Sequence, residues 1–223
     1  MSAALDALGV EAAPVEGGGL ELRSDRRDWL LAVFRAFALR ADAHGPHLRV
    51  GAAELAVVER VVGAALAPDA LLFDLDGVLA DIAGRARLAE VEDVAALSQE
   101  HAVGVVTTCP RRLAESVLER HGFLPYVDVV VGSEDGPCKP DPFPVQHALQ
   151  QLGRQRAWML GDNPSDVVAA RGGQAVPFAV NPRGAGAGLQ VERLRGAGAL
   201  QLVDGVAGLR ALREGGATPP TSR

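Results

Sequence analysis

Two kinds of hydrophobic patterning divide the chain. From about residue 70 onward, short unbroken apolar runs at 70–74, 103–107, 127–131, 157–161 and 176–180 predict strands. Strands covered on both faces of a parallel sheet read this way, without in–out alternation. Between them, apolar positions at helical spacing predict helices over 84–100, 110–121, 141–152 and 164–172, with a last one near 204–213. Strand and helix alternating with short connections imply an α/β fold, a doubly wound Rossmann-like parallel sheet.

The first 69 residues are patterned differently. "GLELR" at 19–23 and "HLRVG" at 47–51 predict short strands. Between them Leu30, Val33, Phe34 and Phe37 recur at helical spacing, with Ser24 or Asp25 as the N-cap. A second amphipathic helix is expected over 52–66. The expected organisation is a small α+β module over 1–69, a core over 70–213 and a disordered tail over 214–223.

Composition adds limits. A chain of 223 residues has room for one sizeable core, or a core and a small module. A net charge of −6 without a basic stripe argues against a general nucleic-acid binder. No apolar run approaches bilayer length, and "MSAALDALGV" has neither a basic leader nor a signal-length apolar stretch. The expectation is a soluble cytoplasmic protein with no membrane and no nucleic-acid partner. Cys109 and Cys138 lack metal-type spacing and read as reduced thiols. The five histidines are scattered, and none is assigned to a metal.

The candidate chemistry lies at strand ends, where open α/β sheets form their sites. "LLFDLDGVLAD" ends a buried strand in Asp74 and Asp76. "VGVVTT" ends in Thr107, a loop carries Lys139 in "CKPDP", and "AWMLGDNPSD" ends in Asp162 with Asp166 four residues later. Asp74, Asp76 and Asp162 together would repel one another unless a cation lay among them. Hard carboxylate oxygens without His or Cys suit Mg²⁺, which takes substrate phosphate as a ligand. Lys139 and Thr107 supply a positive charge and a hydroxyl donor for phosphoryl oxygens, and Gly77 permits a sharp turn after Asp76. Taken singly, each feature has an ordinary reading: DxDG as a turn, Thr107 as a strand-end hydroxyl, Lys139 as a loop charge. Asp166 is equally a helix cap or a metal ligand. Asp81 reads as a local hydrogen-bonding residue. Cys109, Arg111 and Arg112 read as the start of a helix or a solvated face before they read as substrate contacts.

The ordered set DxDGxxxD, strand–Thr, KPDP and GDxxxD resembles the haloacid dehalogenase-like hydrolase superfamily, subfamily I. The stretch from "TTCPRRLAES" to "KPDPFPVQHAL" is similar to its phosphoglycolate-phosphatase-like branch. The resemblance covers about 70–210. It implies a Mg²⁺-dependent phosphatase with Asp74 as nucleophile and Asp76 as general acid and base. It further implies phosphoryl binding by Thr107 and Lys139, and metal binding by Asp74, the Asp76 carbonyl, Asp162 and Asp166. The second acid of DxD favours phosphatase over dehalogenase. Relatives with a cap domain insert it between these motifs, and neither gap here can hold one. The resemblance therefore implies a capless member, and such members act on large substrates or have the site covered by another subunit or domain, here a homodimer. The leading expectation is a small phosphorylated metabolite of the histidinol phosphate or phosphoglycolate class. A macromolecular substrate, or a non-catalytic assembly module, are the alternatives. "ALDALGVEAAPVEGGGLELR…HLRVGAAELAVVERVVGAAL" faintly resembles the small domain of histidinol-phosphate-type aminotransferases, with Arg49 in the place of a carboxylate-binding arginine.

Overall fold

The computed structural model describes residues 2–83 and 85–215. Most of the expected tail therefore lies outside the described residues. The chain begins with α1 (Ser2–Asp6), β1 (Glu11–Pro14), β2 (Leu20–Arg23), α2 (Arg27–Ala36), β3 (Ala41–His44) and β4 (His47–Val50). A 3-10 turn, Ala52–Glu54, then leads into α3 (Leu55–Leu66). The core follows as β5 (Ala70–Phe73), β6 (Ala80–Asp81), β7 (Ala86–Arg87), α4 (Val91–Ser98), β8 (Ala102–Val106) and α5 (Arg111–His121). It continues with β9 (Val129–Val131), α6 (Phe143–Leu152), β10 (Ala157–Gly161), α7 (Pro164–Gly172), β11 (Val176–Val180), α8 (Ala187–Ala197), β12 (Gln201–Val203) and α9 (Gly205–Glu214).

Six strands form one parallel sheet in the order β12-β11-β10-β5-β8-β9. Chain order reverses between β5 and β10, and a doubly wound sheet opens a crevice at that switch point, beyond the strand ends. The all-apolar strand signal has its physical cause here: every residue of β5 and β10 is buried. The first zone adds an antiparallel sheet in the order β1-β2-β4-β3.

The two zones share one apolar core. Trp29 of α2 and Trp158 of β10 are both wholly buried, with ring centroids 6.4 Å apart, and Phe178 of β11 stacks on Trp29 at 6.2 Å. Both indoles also end α3. Trp158 Nε1–H donates to the Ala64 carbonyl at 2.8 Å, and Trp29 Nε1–H to that of Ala65 at 3.3 Å. Carbonyls in the last helical turn lack intrahelical partners, so the two rings satisfy groups that burial would otherwise leave unpaired.

Several elements depart from expectation. The helix expected over 84–100 is confined to Val91–Ser98, because Arg85 takes φ 55 and the preceding residues pair as the β6–β7 hairpin. The helix expected after Ser24 starts at Arg27, with Arg26 as cap and no side-chain cap bond, and Ala38 at φ 54 follows its end. The sequence reading passed over α1, β1, β3, α8 and β12. Of α8 only Leu194 is buried, too little apolar surface to write a helical stripe.

Candidate active site

The switch point gathers Asp74, Lys139 and Asp166 into one buried cluster, with Thr107 buried at the end of the neighbouring strand β8. Asp74 follows β5, Thr107 follows β8, and Asp166 lies in the first turn of α7; they are 7%, 4% and 1% exposed. Lys139 approaches from the β9–α6 loop and is 9% exposed. Its Nζ lies 2.9 Å from Asp74 Oδ1 and 2.7 Å from Asp166 Oδ1, and donates to the Val106 carbonyl at 2.9 Å. Two carboxylate oxygens and one carbonyl thus surround the ammonium. Asp74 Oδ1 also accepts the Leu75 N–H at 2.7 Å.

Asp162 completes the acids: oxygens of Asp74, Asp162 and Asp166 lie within 4.8 Å of one another. One ammonium among three carboxylates leaves an excess of negative charge. Burial pushes the Asp74 carboxyl up to about 7 against the opposing pull of Lys139, with Asp166 adding to the rise. Asp162 is also raised, by burial and then by Asp166. Burial works to lower Lys139, but the facing Asp74 and Asp166 outweigh it and hold the ammonium charged. A buried, oxygen-only, under-neutralised cluster fits a hard divalent cation such as Mg²⁺.

Two glycines make this proximity possible. A Cβ on Gly77, which takes φ +84, would lie 2.3 Å from Asp162 Oδ2, and one on Gly161 would lie 2.2 Å from Asp166 Cβ. Any larger residue would push the acids apart.

The cap reading of Asp166 is visible in its contacts. Its Oδ2 accepts the N–H groups of Asp162 and Asn163 at 3.1 and 2.9 Å, as half of a capping box on α7. Only the Lys139-bound Oδ1 is left to face the cluster. The Asp76 carboxylate is exposed and lies outside the side-chain cluster, with Oδ1 accepting the Ile82 N–H at 2.8 Å. Thr107 Oγ1 accepts the Cys109 N–H at 3.1 Å, which orients the hydroxyl at the end of β8.

Sequence reasoning missed Glu134 and Asp135. Glu134 accepts the Arg111 N–H through both oxygens, at 3.0 and 3.1 Å. Asp135 takes the Arg111 guanidinium and the Gly132 N–H. They clamp the loop bearing Lys139 to the start of α5, beyond Thr107. The only signal was two acids directly after a strand, in "GSEDG". Arg111 is accordingly tied down by this clamp and is not a solvated face. Arg49 pairs with Glu21 across β2 and β4 at 2.9 Å. Both cysteines are free thiols. Among the described residues no helix is long and apolar enough to cross a membrane.

Beside the acids, Gly77, Val78 and Asp162 form the inner wall of a cleft of about 400 Å³ between the β6–β7 hairpin and the β11–α8 segment. Among the described residues no folded cap separates the motifs: only the hairpin and α4 lie between β5 and β8, and only α5, a 3-10 turn and β9 lie between β8 and the Lys139 loop.

Residues 91–180 match the family model for haloacid dehalogenase-like hydrolases, which bears out the resemblance read from the motifs. A putative pyrophosphatase PpaX of Caldanaerobacter subterraneus is 40% identical over 87 residues, 37% of this chain and 40% of that protein. A phosphoglycolate phosphatase of Rhodospirillum rubrum is 36% identical over 110 residues, 48% of this chain and 44% of that protein. The chain thus spans less than half the length of these curated relatives. A haloacid dehalogenase-like hydrolase from Streptococcus pneumoniae superposes with a TM-score of 0.55 at 15% identity, over 66% of this chain and 98% of its own. That likeness establishes the fold of the α/β core.

Proposed function

We propose that a chain whose core matches the haloacid dehalogenase-like hydrolases is a Mg²⁺-dependent phosphatase that cleaves a phosphate monoester through an aspartyl-phosphate. The observation that carries this reading is the Lys139 ammonium held between Asp74 and Asp166 at the sheet's switch point. The relatives named as phosphatases support it.

In this mechanism Asp74 attacks phosphorus. Its Oδ1 is occupied by Lys139 and the Leu75 N–H, so Oδ2 is the oxygen that forms the new P–O bond. The bond from phosphorus to the leaving oxygen breaks. Asp76 gives that oxygen its proton, and its hydrogen bond from Ile82 fixes the carboxyl while leaving Oδ2 for proton transfer. A water then attacks phosphorus, Asp76 takes a proton from it, and inorganic phosphate leaves with Asp74 restored. Lys139 and the Thr107 hydroxyl bind phosphoryl oxygens and offset their developing charge. Asp74 and Asp162, with the Asp76 carbonyl, would hold Mg²⁺, which would supply Lewis-acid neutralisation of the phosphoryl group. Asp166 positions Lys139 and the Asp162 backbone.

The cleft of about 400 Å³ favours a small leaving group over a macromolecular substrate. The test is phosphate release across a panel of phosphorylated metabolites, with and without Mg²⁺, using Asp74→Asn as the blank. Release that requires both Mg²⁺ and Asp74 supports the reading. Folded wild-type protein that binds Mg²⁺ but releases no phosphate overturns it.

A further inference from the structure

We infer that Gln190 is a positioning residue of the active site: from α8 it holds the main chain of Asp162 and so sets how well that acid receives Mg²⁺. The inference rests on the metal-dependent phosphatase reading and adds to it a residue from outside the ordered motifs.

Asp162 is held at three points. Its N–H donates to Asp166 Oδ2 at 3.1 Å, its Oδ1 accepts the Asn163 side-chain amide at 2.8 Å, and its carbonyl accepts Gln190 Nε2–H at 3.0 Å. The first two partners lie within four residues and fix Asp162 only relative to the start of α7. Gln190 is 28 residues away and reaches across from α8, and both residues line the same cleft. Asp162 is also the residue that this cleft shares with the acid cluster. Its carbonyl stands just before the N-cap Asn163, so it takes no part in the hydrogen-bond ladder of α7. One peptide plane joins that carbonyl to the helix. A donor on it therefore fixes how β10 turns into α7, and the side chain of Asp162 turns with it.

Packing alone seats α8 poorly, since only its Leu194 is buried. Polar bonds set its register along α7. Gln190, in its first turn, reaches Asp162, and at its last residue the Ala197 carbonyl accepts Arg171 Nη1–H at 2.7 Å. Arg171 lies in the last turn of α7, and Gly198 beside it takes φ +100, where an added Cβ would meet Arg171 Nη1 at 2.8 Å. The two ends of α8 are thus tied to the two ends of the α7 segment, and only the Gln190 end terminates on a candidate metal ligand. The competing reading is mechanical: Gln190 holds α8 on the core and does nothing for the metal. In that case the two ties are equivalent.

The experiment is calorimetric titration of Mg²⁺ into the full chain, comparing three proteins. They are wild type, Gln190→Met, which keeps the side-chain length without the donor, and Arg171→Met, which frees the other end of α8. Unfolding midpoints after chelation report the loss of packing alone. Phosphate release from p-nitrophenyl phosphate over a Mg²⁺ series reports the working site. Gln190→Met is expected to weaken Mg²⁺ binding about tenfold, the lower end of the range for partners that orient a metal's ligands. Its release rate should fall at low Mg²⁺ and return towards wild type at saturating Mg²⁺. Arg171→Met should lower the chelated midpoint at least as much while leaving Mg²⁺ affinity near that of wild type. Equal Mg²⁺ affinity in wild type and folded Gln190→Met, or an equal loss in both variants, overturns the assignment. Wild type that binds no Mg²⁺ overturns it together with the metal-dependent reading. Folded wild type that binds Mg²⁺ but releases no phosphate removes the phosphatase reading alone, and the difference in Mg²⁺ affinity still decides the role of Gln190.

Discussion

Lys139 Nζ stands 2.9 Å from Asp74 Oδ1, and both side chains are almost wholly buried. Each residue therefore depends on the other for its charge state. Lys139→Met should leave Asp74 and Asp166 facing each other without their cation. Removing one partner of a buried pair costs about 3–5 kcal/mol. The loss should be larger at pH 8 than at pH 5, because the stranded acids must ionise as pH rises. Chemical unfolding at the two pH values measures it.

Asp74→Asn should behave in the opposite way. It removes a carboxyl that burial already disfavours as an anion. Turnover should fall by about a thousandfold or more, on the order expected when a nucleophile is lost. The unfolding midpoint should stay within a few degrees of wild type. Circular dichroism melts beside the phosphate assay check both halves.

Gly77→Ala tests the closeness of the acids. The added methyl would lie 2.3 Å from Asp162 Oδ2, on a backbone with φ +84. A cost of about 1–3 kcal/mol in strain is expected. Mg²⁺ should also lose most of its stabilising effect, since Asp162 must move. Thermal shifts with Mg²⁺ and after chelation, in wild type and variant, decide it.

His101 gives a pH dependence away from the site. Its Nδ1 lies 3.2 Å from the Leu97 carbonyl, and Arg213 Nε donates to its Nε2 at 3.0 Å, which requires the neutral ring. Burial, and then the Arg213 charge, lower it from 6.5. The unfolded state then binds the proton first, so stability is full above about pH 6.5 and falls as pH drops below it. His101→Gln should flatten that part of the stability–pH curve, as read by denaturant midpoints between pH 7.5 and 5.

Trp29→Ala should destabilise the whole chain by about 3–5 kcal/mol, the range for emptying a large aromatic site. Because Trp29 packs on Trp158 and Phe178 of the parallel sheet, the loss should appear in one cooperative transition. Two separated transitions, with only the first shifted, would show that the N-terminal zone melts alone. The fluorescence of Trp158 reports on the sheet throughout.

Much of this protein was legible in its sequence. The strands β5, β8, β10 and β11 could be read because burial on both faces demands unbroken apolar runs, and that demand is local. Asp74, Thr107 and Asp162 could be read because strand ends are where chemistry collects, and Lys139 from its loop's place in the ordered motif set. Tertiary structure decided the rest, where partners far apart in sequence set the outcome. The side chain of Asp166 is divided between two backbone N–H groups and an ammonium that arrives from another loop. Glu134 and Asp135 became positioning residues only when Arg111 was brought against them. The ends of α3 are held by indoles at positions 29 and 158, contacts that no window of sequence contains. Apolar period is a property of each element alone. The division of a carboxylate among its donors, or of a carbonyl among rings, exists only once the elements have met.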